Sequence, residues 1–140
     1  MELHTVLRDD PAEVGRARRL VASRLATWGL EDSDQVTSLL VSELVTNALV
    51  HGHPPLEMIA RDILTGVRVE VHDCNPEGAR KREDGTAMQS GRGLQLVDHL
   101  ATRWGWAESA LGGKYVWFEV DLIWPPSTNG TTQRRVSEVP

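Results

Sequence analysis

The chain has 140 residues, enough for one domain with its own hydrophobic core. Its formal net charge of −5 and its pI of about 5.5 argue against a protein that coats nucleic acid or an anionic membrane. Cys74 is the only cysteine, no apolar run could span a bilayer, and the N-terminus lacks the layout of a signal peptide. We therefore expect a cytoplasmic protein without disulfides or cysteine metal clusters.

The first half of the chain predicts a strand, two helices and a pair of strands. Pro11 can open a helix at its first turn, and apolar residues then recur at helical spacing up to Gly29. Ser33 or Asp34 is the candidate cap of the second helix. The expected elements are a short edge strand over 3–7, helices over 11–29 and 32–52, and strands over 56–63 and 67–73 joined by a hairpin turn at 64–66.

The second half predicts a long loop, a third helix and two more strands. Residues 74–90 show no hydrophobic period, and such a loop inside a compact domain tends to be functional or disordered. From Pro125 the composition is that of a disordered tail, which gives a domain over 1–124 and a tail over 125–140. The remaining elements are a helix over 94–101 and strands over 102–108 and 114–122. Together they predict an α+β fold, a two-layer sandwich of a mixed, mostly antiparallel sheet with helices on one face.

The second helix carries an acid and an amide on an arc that its periodicity predicts to be apolar. Glu43 and Asn47 are one turn apart, and at about 100° per residue they share that arc with Val36, Leu39 and Val50. A carboxylate and an amide turned towards a core cost free energy unless they are paired. One interpretation is a bound ligand or metal ion. The other is purely structural, with both side chains hydrogen-bonded to neighbouring elements.

Asp73 is the second polar residue in an apolar setting. It ends a strand in which Val67, Val69 and Val71 alternate with polar residues, so the two-residue period places it on the valine face. A carboxylate only accepts hydrogen bonds, which suits recognition of a buried donor such as an exocyclic amine. The alternative is a turn aspartate that helps the chain reverse before Pro76.

Two glycines mark the start of the third helix. Gly91 and Gly93 flank Arg92 directly before Leu94. The free N–H groups and the positive dipole end of a helix start form an anion site, and glycine lets phosphate oxygens approach. The spacing is not the dinucleotide-binding fingerprint, because the third glycine is absent.

Three other groups of residues are weaker candidates. His51, His53, His72 and Asp73 could be drawn as a zinc cluster, but His72 points away from the Asp73 face and His51 suits the negative end of a helix dipole. Cys74 has no base placed beside it by the sequence. The first helix carries four arginines that could form a basic patch for nucleic acid. They alternate with the core stripe of an acidic protein, which indicates a solvated helix face instead. These residues are Arg16, Arg18, Arg19 and Arg24.

Taken together, these features resemble the GHKL ATPase superfamily, which includes gyrase, sensor histidine kinases and MutL. Within it, the chain is most similar to the small anti-sigma factor serine kinases and to single-domain actinobacterial ATP-binding regulators. The resemblance extends over about residues 3–122. The two segments that match the sequence motifs of the family most closely are 43–52 and 91–97. It implies the Bergerat-type ATP-binding fold.

The resemblance also implies a role for each matching residue. Asn47 would hold Mg²⁺ against the phosphates of ATP, and Glu43 would be the general base towards a water or a substrate hydroxyl. Asp73 would accept a hydrogen bond from the adenine amino group. The phosphate-binding residues at the helix start would be Gly91, Arg92, Gly93 and Leu94.

The chain departs from the family pattern at two positions. Asn75, followed by Pro76, stands where the family often has glycine, although the aspartate-to-proline form is common in the actinobacterial relatives. Lys114 stands where a threonine is often found after the last glycine pair. The segment 77–90 would be the lid over ATP.

The function implied by the resemblance is that of an ATP-dependent serine/threonine kinase with ATP and Mg²⁺ as cofactors. It would phosphorylate an anti-sigma antagonist protein and could bind a sigma factor or form a homodimer, without direct contact with nucleic acid or membrane. The alternative is a nucleotide-gated protein-binding switch that transfers no phosphate. A histidine kinase is disfavoured, because the chain has no room for a helical hairpin that carries a phospho-accepting histidine.

Overall fold

The computed structural model describes residues 1–74, 92–109, 112–122 and 134–135. The elements are β1 (Glu2–Leu7), α1 (Glu13–Thr27), a 3₁₀ turn (Glu31–Ser33), α2 (Asp34–His51), β2 (Leu56–Ile63), β3 (Gly66–Asp73), α3 (Arg92–Leu100), β4 (Arg103–Glu108), β5 (Lys114–Asp121) and β6 (Arg134–Arg135). Their order and approximate bounds from β1 to β5 agree with those expected from the sequence.

The strands form one sheet in the order β1-β2-β3-β5-β4-β6. All pairings from β1 to β4 are antiparallel, and only β6 pairs in parallel, with the β4 edge. On the helical side, α2 packs against α1 and α3 and also contacts β3 and β5. The predicted α+β sandwich, a mixed and mostly antiparallel sheet with helices on one face, is confirmed.

Alternation in the strands and four-residue spacing in the first helix build the core. Val69 of β3 lies directly opposite Phe118 of β5, and both side chains are fully buried. Ala17, Val21 and Leu25 form the buried stripe of α1. Full burial of a side chain of valine or leucine size contributes about 1.5–3 kcal/mol. The apolar face of β3 is therefore fixed against the helices, and this is the face on which Asp73 ends.

The start of α2 differs from the expectation of a side-chain cap. Ser33 occupies the N-cap position, but its hydroxyl donates to the Leu30 carbonyl oxygen at 2.8 Å and makes no cap hydrogen bond. Asp34 already lies in the first turn and accepts from the Ser38 hydroxyl. A capping residue needs an extended backbone, whereas Ser33 has φ −91° and ψ 0° because a 3₁₀ turn leads directly into the helix.

The arc of α2 that carries Glu43 lies at the margin of the core-facing side, where Asn47 is buried but Glu43 is not. The side chains buried against the sheet and the other helices include Leu40, Val41, Leu44, Val45 and Ala48. Leu39 and Val50, which flank Glu43, are 42 % and 67 % exposed, and Glu43 itself is half-buried. The expectation that Glu43 points into the core was therefore wrong. The helix carries two apolar stripes, and periodicity alone does not decide which of them faces the sheet.

Beyond β5, the structure describes only β6, which pairs Arg134 with Arg103 and Arg135 with Trp104. At these two residues the backbone belongs to the sheet edge, whereas the rest of the expected tail lies outside the described residues. The boundary after residue 124 stays a prediction. In the described ranges, no helix combines the length and the apolar character needed to cross a membrane.

The Glu13 side chain links the start of α1 to the end of β1 through hydrogen bonds. Its side chain is buried, the Arg16 Nε donates to its Oε2 at 2.8 Å, and the Arg8 backbone N–H donates to its Oε1 at 2.8 Å. These hydrogen bonds lower the pKa of Glu13 from 4.5 to about 2 and outweigh burial, which raises it. The folded protein therefore contains the charged form of this carboxyl group.

We expect the stability that Glu13 contributes to be fully present above about pH 4.5 and to be lost as the pH falls towards 2, because folding lowers its pKa. Glu13→Gln should reduce the free energy of unfolding at neutral pH by about 2 kcal/mol, the size of one charge-assisted hydrogen bond. The reduction should be smaller in acid. Urea unfolding at neutral pH and at about pH 3, within the range where the contribution declines, measures both values. Glu31→Gln, at an exposed glutamate, is the matched control, and an equal loss at both pH values would contradict the prediction.

Candidate functional site

Glu43 and Asn47 lie one turn apart in the C-terminal half of α2. Asn47 is 8 % exposed and Glu43 is half-buried. Within the part of the chain that the structure describes, neither side chain makes a hydrogen bond or an ion pair. The purely structural interpretation required such bonds to neighbouring elements, so it loses its support. The Asn47 amide atoms are not fully enclosed, so a ligand that approaches this side of α2 can reach them.

Glu43 and Asn47 together supply too few ligands to hold a hard cation such as Mg²⁺ unless a bound ligand supplies others. Amide and carboxylate oxygens are ligands that Mg²⁺ accepts, but it commonly takes few of them from the protein and the rest from phosphate and water. Among the described residues, no group of three or more His, Cys, Asp or Glu side chains could hold a metal ion. Asn47 is therefore suited to share a metal ion with a phosphate group, not to bind one alone.

Asp73 ends β3 on the valine face, as the two-residue period predicts. Directly opposite it in the sheet is Lys114, the first residue of β5. The Nζ atom of Lys114 donates to Oδ2 of Asp73 at 2.5 Å, and each side chain is only 1 % exposed. The described side-chain partner of Asp73 is thus a cation on the next strand, which the turn interpretation did not anticipate. Asn75 and Pro76 lie outside the described residues.

Two glycines let other parts of the backbone approach Asp73 closely. A Cβ atom at Gly52, just after α2, would lie 2.8 Å from Oδ2 of Asp73 and 2.7 Å from the Ala48 carbonyl oxygen. A Cβ atom at Gly113 would overlap the Asp73 carbonyl oxygen, and the φ of +85° at Gly113 also disfavours any other residue. The end of α2, the end of β3 and the start of β5 therefore meet around the Asp73 carboxylate.

Lys114 is the site residue that the sequence analysis did not assign. It was noted only as a departure from a family pattern. Its position offered a signal, since it shares the two-residue period of Val116, Phe118 and Val120, which are all buried. A lysine that continues a buried apolar stripe needs a negative partner, and Asp73 is that partner.

The expected phosphate-binding segment is described only in part. The backbone of α3 begins at Arg92, while Gly91 and the expected lid, residues 77–90, lie outside the described residues, as do the details of Arg92 and Gly93 beyond their helical backbone. Leu94 is 4 % exposed and belongs to the hydrophobic core, so only its main chain could contact a ligand. The packing of α3 against α2 brings the two expected binding elements side by side.

The histidines near this region are not gathered into one cluster. His51 ends α2 and is half-buried, while His53 is exposed and its carbonyl oxygen accepts the Cys74 N–H at 2.9 Å. His72 points to the other face of the sheet, as predicted, where it stacks on Tyr115 with ring centroids 4.5 Å apart. Cys74 is exposed.

That other face of the sheet carries charges that pair with one another. Arg68 donates to Oε2 of Glu70 and to Oε2 of Glu119, both at 2.8 Å, and lies 4.2 Å from the centre of the Trp117 ring. Burial raises the pKa of Glu70, but hydrogen bonds from His72 and Arg68 outweigh it and bring the pKa to about 2. The charged side chains of this network are paired with one another. We therefore assign the candidate site to the helical face of the sheet.

Comparison with known proteins gives a family for this arrangement. A family model described as a histidine kinase-like ATPase domain matches residues 7–119. The matched region includes Glu43, Asn47, Asp73 and Lys114. A search of curated proteins finds no match to the chain.

Proposed function

The chain belongs to the histidine kinase-like ATPase domain family, and from this premise we propose that it is a regulatory ATP-dependent serine/threonine kinase that phosphorylates an anti-sigma antagonist protein. Domains of this family bind ATP, generally with Mg²⁺, and the family match supports an ATP-binding regulatory function. The resemblance to small anti-sigma factor kinases supports the choice of substrate. It also makes a sigma factor and a second copy of the chain further expected partners.

The observation that carries the proposal is the Asn47 amide, whose polar atoms stay accessible on a largely buried side chain, beside the carboxylate of Glu43 on the same side of α2; neither group has a partner among the described residues. Two oxygen-bearing side chains one helical turn apart, with no partner among the described residues, are available to a ligand. The Asn47 amide oxygen is of the ligand type that Mg²⁺ would share with phosphate oxygens and water.

In this proposal, each residue of the site has a separate role in phosphoryl transfer. Bound ATP supplies the γ-phosphoryl group, whose bond to the ADP oxygen breaks as a bond to the serine oxygen forms. Glu43 would accept the proton of the serine hydroxyl, and the Asn47 amide oxygen would help to hold Mg²⁺ against the phosphates. Asp73 accepts a hydrogen bond from the base, and the N–H groups at the start of α3 bind phosphate oxygens.

The surface beside Glu43 suits a protein substrate. Leu39 and Val50 lie on the Glu43 side of α2 and are 42 % and 67 % exposed. Exposed apolar side chains next to a catalytic acid favour a protein partner, whose serine must reach that acid. The same surface also suits the second candidate function, a nucleotide-gated switch that binds a partner and transfers no phosphate.

Calorimetric titration with ATP tests the first half of the proposal. We expect binding that requires Mg²⁺, and Asn47→Ala should weaken it roughly 10- to 100-fold, the effect of removing one contact to a charged group. Because Asn47 has no partner among the described residues, the same change should leave the stability of the unliganded protein nearly unaltered.

Thr46→Ala, at the exposed neighbouring position, is the matched control and should bind ATP normally. If Asn47→Ala instead lowered the stability of the unliganded protein and left ATP affinity intact, the amide would have a structural role only. A wild-type protein that binds no nucleotide would contradict the proposal as a whole.

A further inference from the structure

A hollow of about 290 Å³ opens at the end of the sheet that is far from Asp73. Its walls come from three parts of the chain: the segment after α1, the β2–β3 hairpin and the end of β5. β3 begins beside the hollow at Gly66 and ends at Asp73. At about 3.3 Å per residue, the hollow and the Asp73 carboxylate are therefore about 23 Å apart. The hollow is separate from the candidate nucleotide site.

The walls of this hollow are held in place by hydrogen bonds. On the hairpin side, the Leu122 N–H donates to the Thr65 carbonyl oxygen at 2.6 Å, and the Thr65 hydroxyl donates to Oδ1 of Asp121 at 2.8 Å. In the segment after α1, the N–H and the hydroxyl of Ser33 donate to the Leu30 carbonyl oxygen at 3.0 and 2.8 Å. A hollow whose walls are fixed before binding spares a ligand part of the cost of ordering them.

Apolar side chains line the hollow and also stand at its mouth. Leu30, Ile63 and Leu122 line it and are half-buried. Leu64 lies in the hairpin turn and is 94 % exposed, so it contributes almost no apolar burial to the fold. Turns favour glycine, proline, asparagine, aspartate and serine for backbone reasons that do not apply to leucine. The Leu64 side chain is therefore available to a partner.

Two acidic side chains at the hollow have no counter-charge. Asp32 lines the hollow and Glu31 precedes it in the 3₁₀ turn; both are exposed, and within the described ranges neither forms an ion pair. The Arg103 guanidinium group, on the strand beside β5, is already paired with Asp121. The free charge at the hollow is thus negative. It repels nucleic acid and anionic membranes and attracts lysine or arginine.

We propose that this hollow is a docking site for a segment of a partner protein that carries an apolar side chain beside lysine or arginine. The apolar side chain enters between the three half-buried lining residues and covers Leu64, and the basic side chain pairs with Asp32. Small-molecule pockets are about 300–1,000 Å³, so about 290 Å³ suits one or two side chains instead. The site is remote from Asp73, so this inference does not rest on the proposed function, and the partner docks with or without nucleotide.

The probe is a short capped peptide with phenylalanine between two lysines, titrated into the isotope-labelled full-length protein while NMR follows the backbone N–H signals. We expect saturable shifts at Leu30, Asp32 and Leu64 and none at Asp73. The affinity should fall as the salt concentration rises, because salt screens exposed charges. Two control peptides, one with glutamates instead of the lysines and one with glycine instead of phenylalanine, should bind at least about fivefold more weakly.

Leu64→Ser and Asp32→Asn test the apolar and the charged contact separately. Leu64→Ser should weaken binding of the lysine peptide about fivefold or more, as loss of a central apolar contact does. Asp32→Asn should weaken it roughly two- to fivefold, the range of an exposed ion pair. Val6→Ser and Asp9→Asn, at exposed positions on and after β1, are the matched controls and should bind like the wild type. All four side chains are exposed, so the variants should fold normally.

The docking site would be overturned by the absence of saturable shifts, by shifts that lie elsewhere, or by control peptides that bind equally well. A second copy of the chain is the alternative occupant, and analytical ultracentrifugation tests it. A wild-type dimer that Leu64→Ser converts into monomers would make the hollow an interface between copies and would overturn the partner-protein assignment. Peptide shifts at the hollow, together with the same oligomeric state in the wild type and in Leu64→Ser, support the assignment.

Discussion

Glutamine at position 43 is expected to abolish phosphoryl transfer and to leave ATP binding almost unchanged. Glu43→Gln keeps the size of the side chain but removes its ability to accept a proton. General bases contribute typically about 100- to 10,000-fold to a rate. The rate of radiolabel transfer from ATP to an antagonist protein should therefore fall at least about 100-fold. Glu43 makes no hydrogen bond or ion pair with the described residues, so the fold should tolerate the change.

The measurement uses ATP labelled at the γ-phosphate and the antagonist-like protein encoded closest to this gene. Glu31→Gln, the same substitution at an exposed glutamate outside the site, is the matched control and should label its substrate at the wild-type rate. Calorimetry on each variant separates a loss of chemistry from a loss of ATP binding.

The outcome also decides between the two candidate functions. Both require ATP to bind, but only the kinase requires a base at position 43. If the wild type binds ATP and the partner tightly and yet labels no serine, the kinase assignment fails. The nucleotide-gated switch then explains the site, with Asn47 as its link to the metal ion.

The sequence predicted the helices and strands well because their signals are local. The alternation of Val67, Val69 and Val71 defined β3, and the four-residue spacing of Ala17, Val21 and Leu25 in α1 fixed the helical stripe. The number of strands and the helices between them then left few ways to cover one apolar face. The two-residue period also placed Asp73 on the correct face of the sheet.

Interactions between distant segments could not be predicted in the same way. Lys114 and Asp73 are paired by the register of β3 with β5, and no local pattern states which strands become neighbours. The orientation of Glu43 depended on which of two apolar stripes of α2 would face the sheet, a choice made by tertiary packing. The missing cap at Ser33 had a local cause, a 3₁₀ turn that composition does not reveal.

Asparagine at position 73 should have the second large effect, and it should act on both binding and stability. Asp73→Asn replaces a charged acceptor with an amide that can turn a donor towards the adenine amino group. ATP affinity should fall roughly 10- to 100-fold, the effect of losing a hydrogen bond to a charged group. The change also leaves the ammonium group of Lys114 buried without its counter-charge, which should lower the free energy of unfolding by about 3–5 kcal/mol.

The double variant Asp73→Asn with Lys114→Met separates these two effects. It removes both buried charges, so much of the lost stability should return, because neutral side chains of similar size are tolerated where an unpaired ion is not. ATP affinity should remain low, since the acceptor for the base is still absent. Urea unfolding and calorimetric titration of the wild type, both single variants and the double variant measure the two quantities on the same proteins.

Asp62→Asn, at a half-exposed ion pair with the N-terminus, is the control for loss of an aspartate charge elsewhere. If the double variant recovered ATP affinity together with stability, Asp73 would support the fold around the site without contacting the base. If stability returned and affinity did not, the Asp73 carboxylate would be the group that recognises adenine.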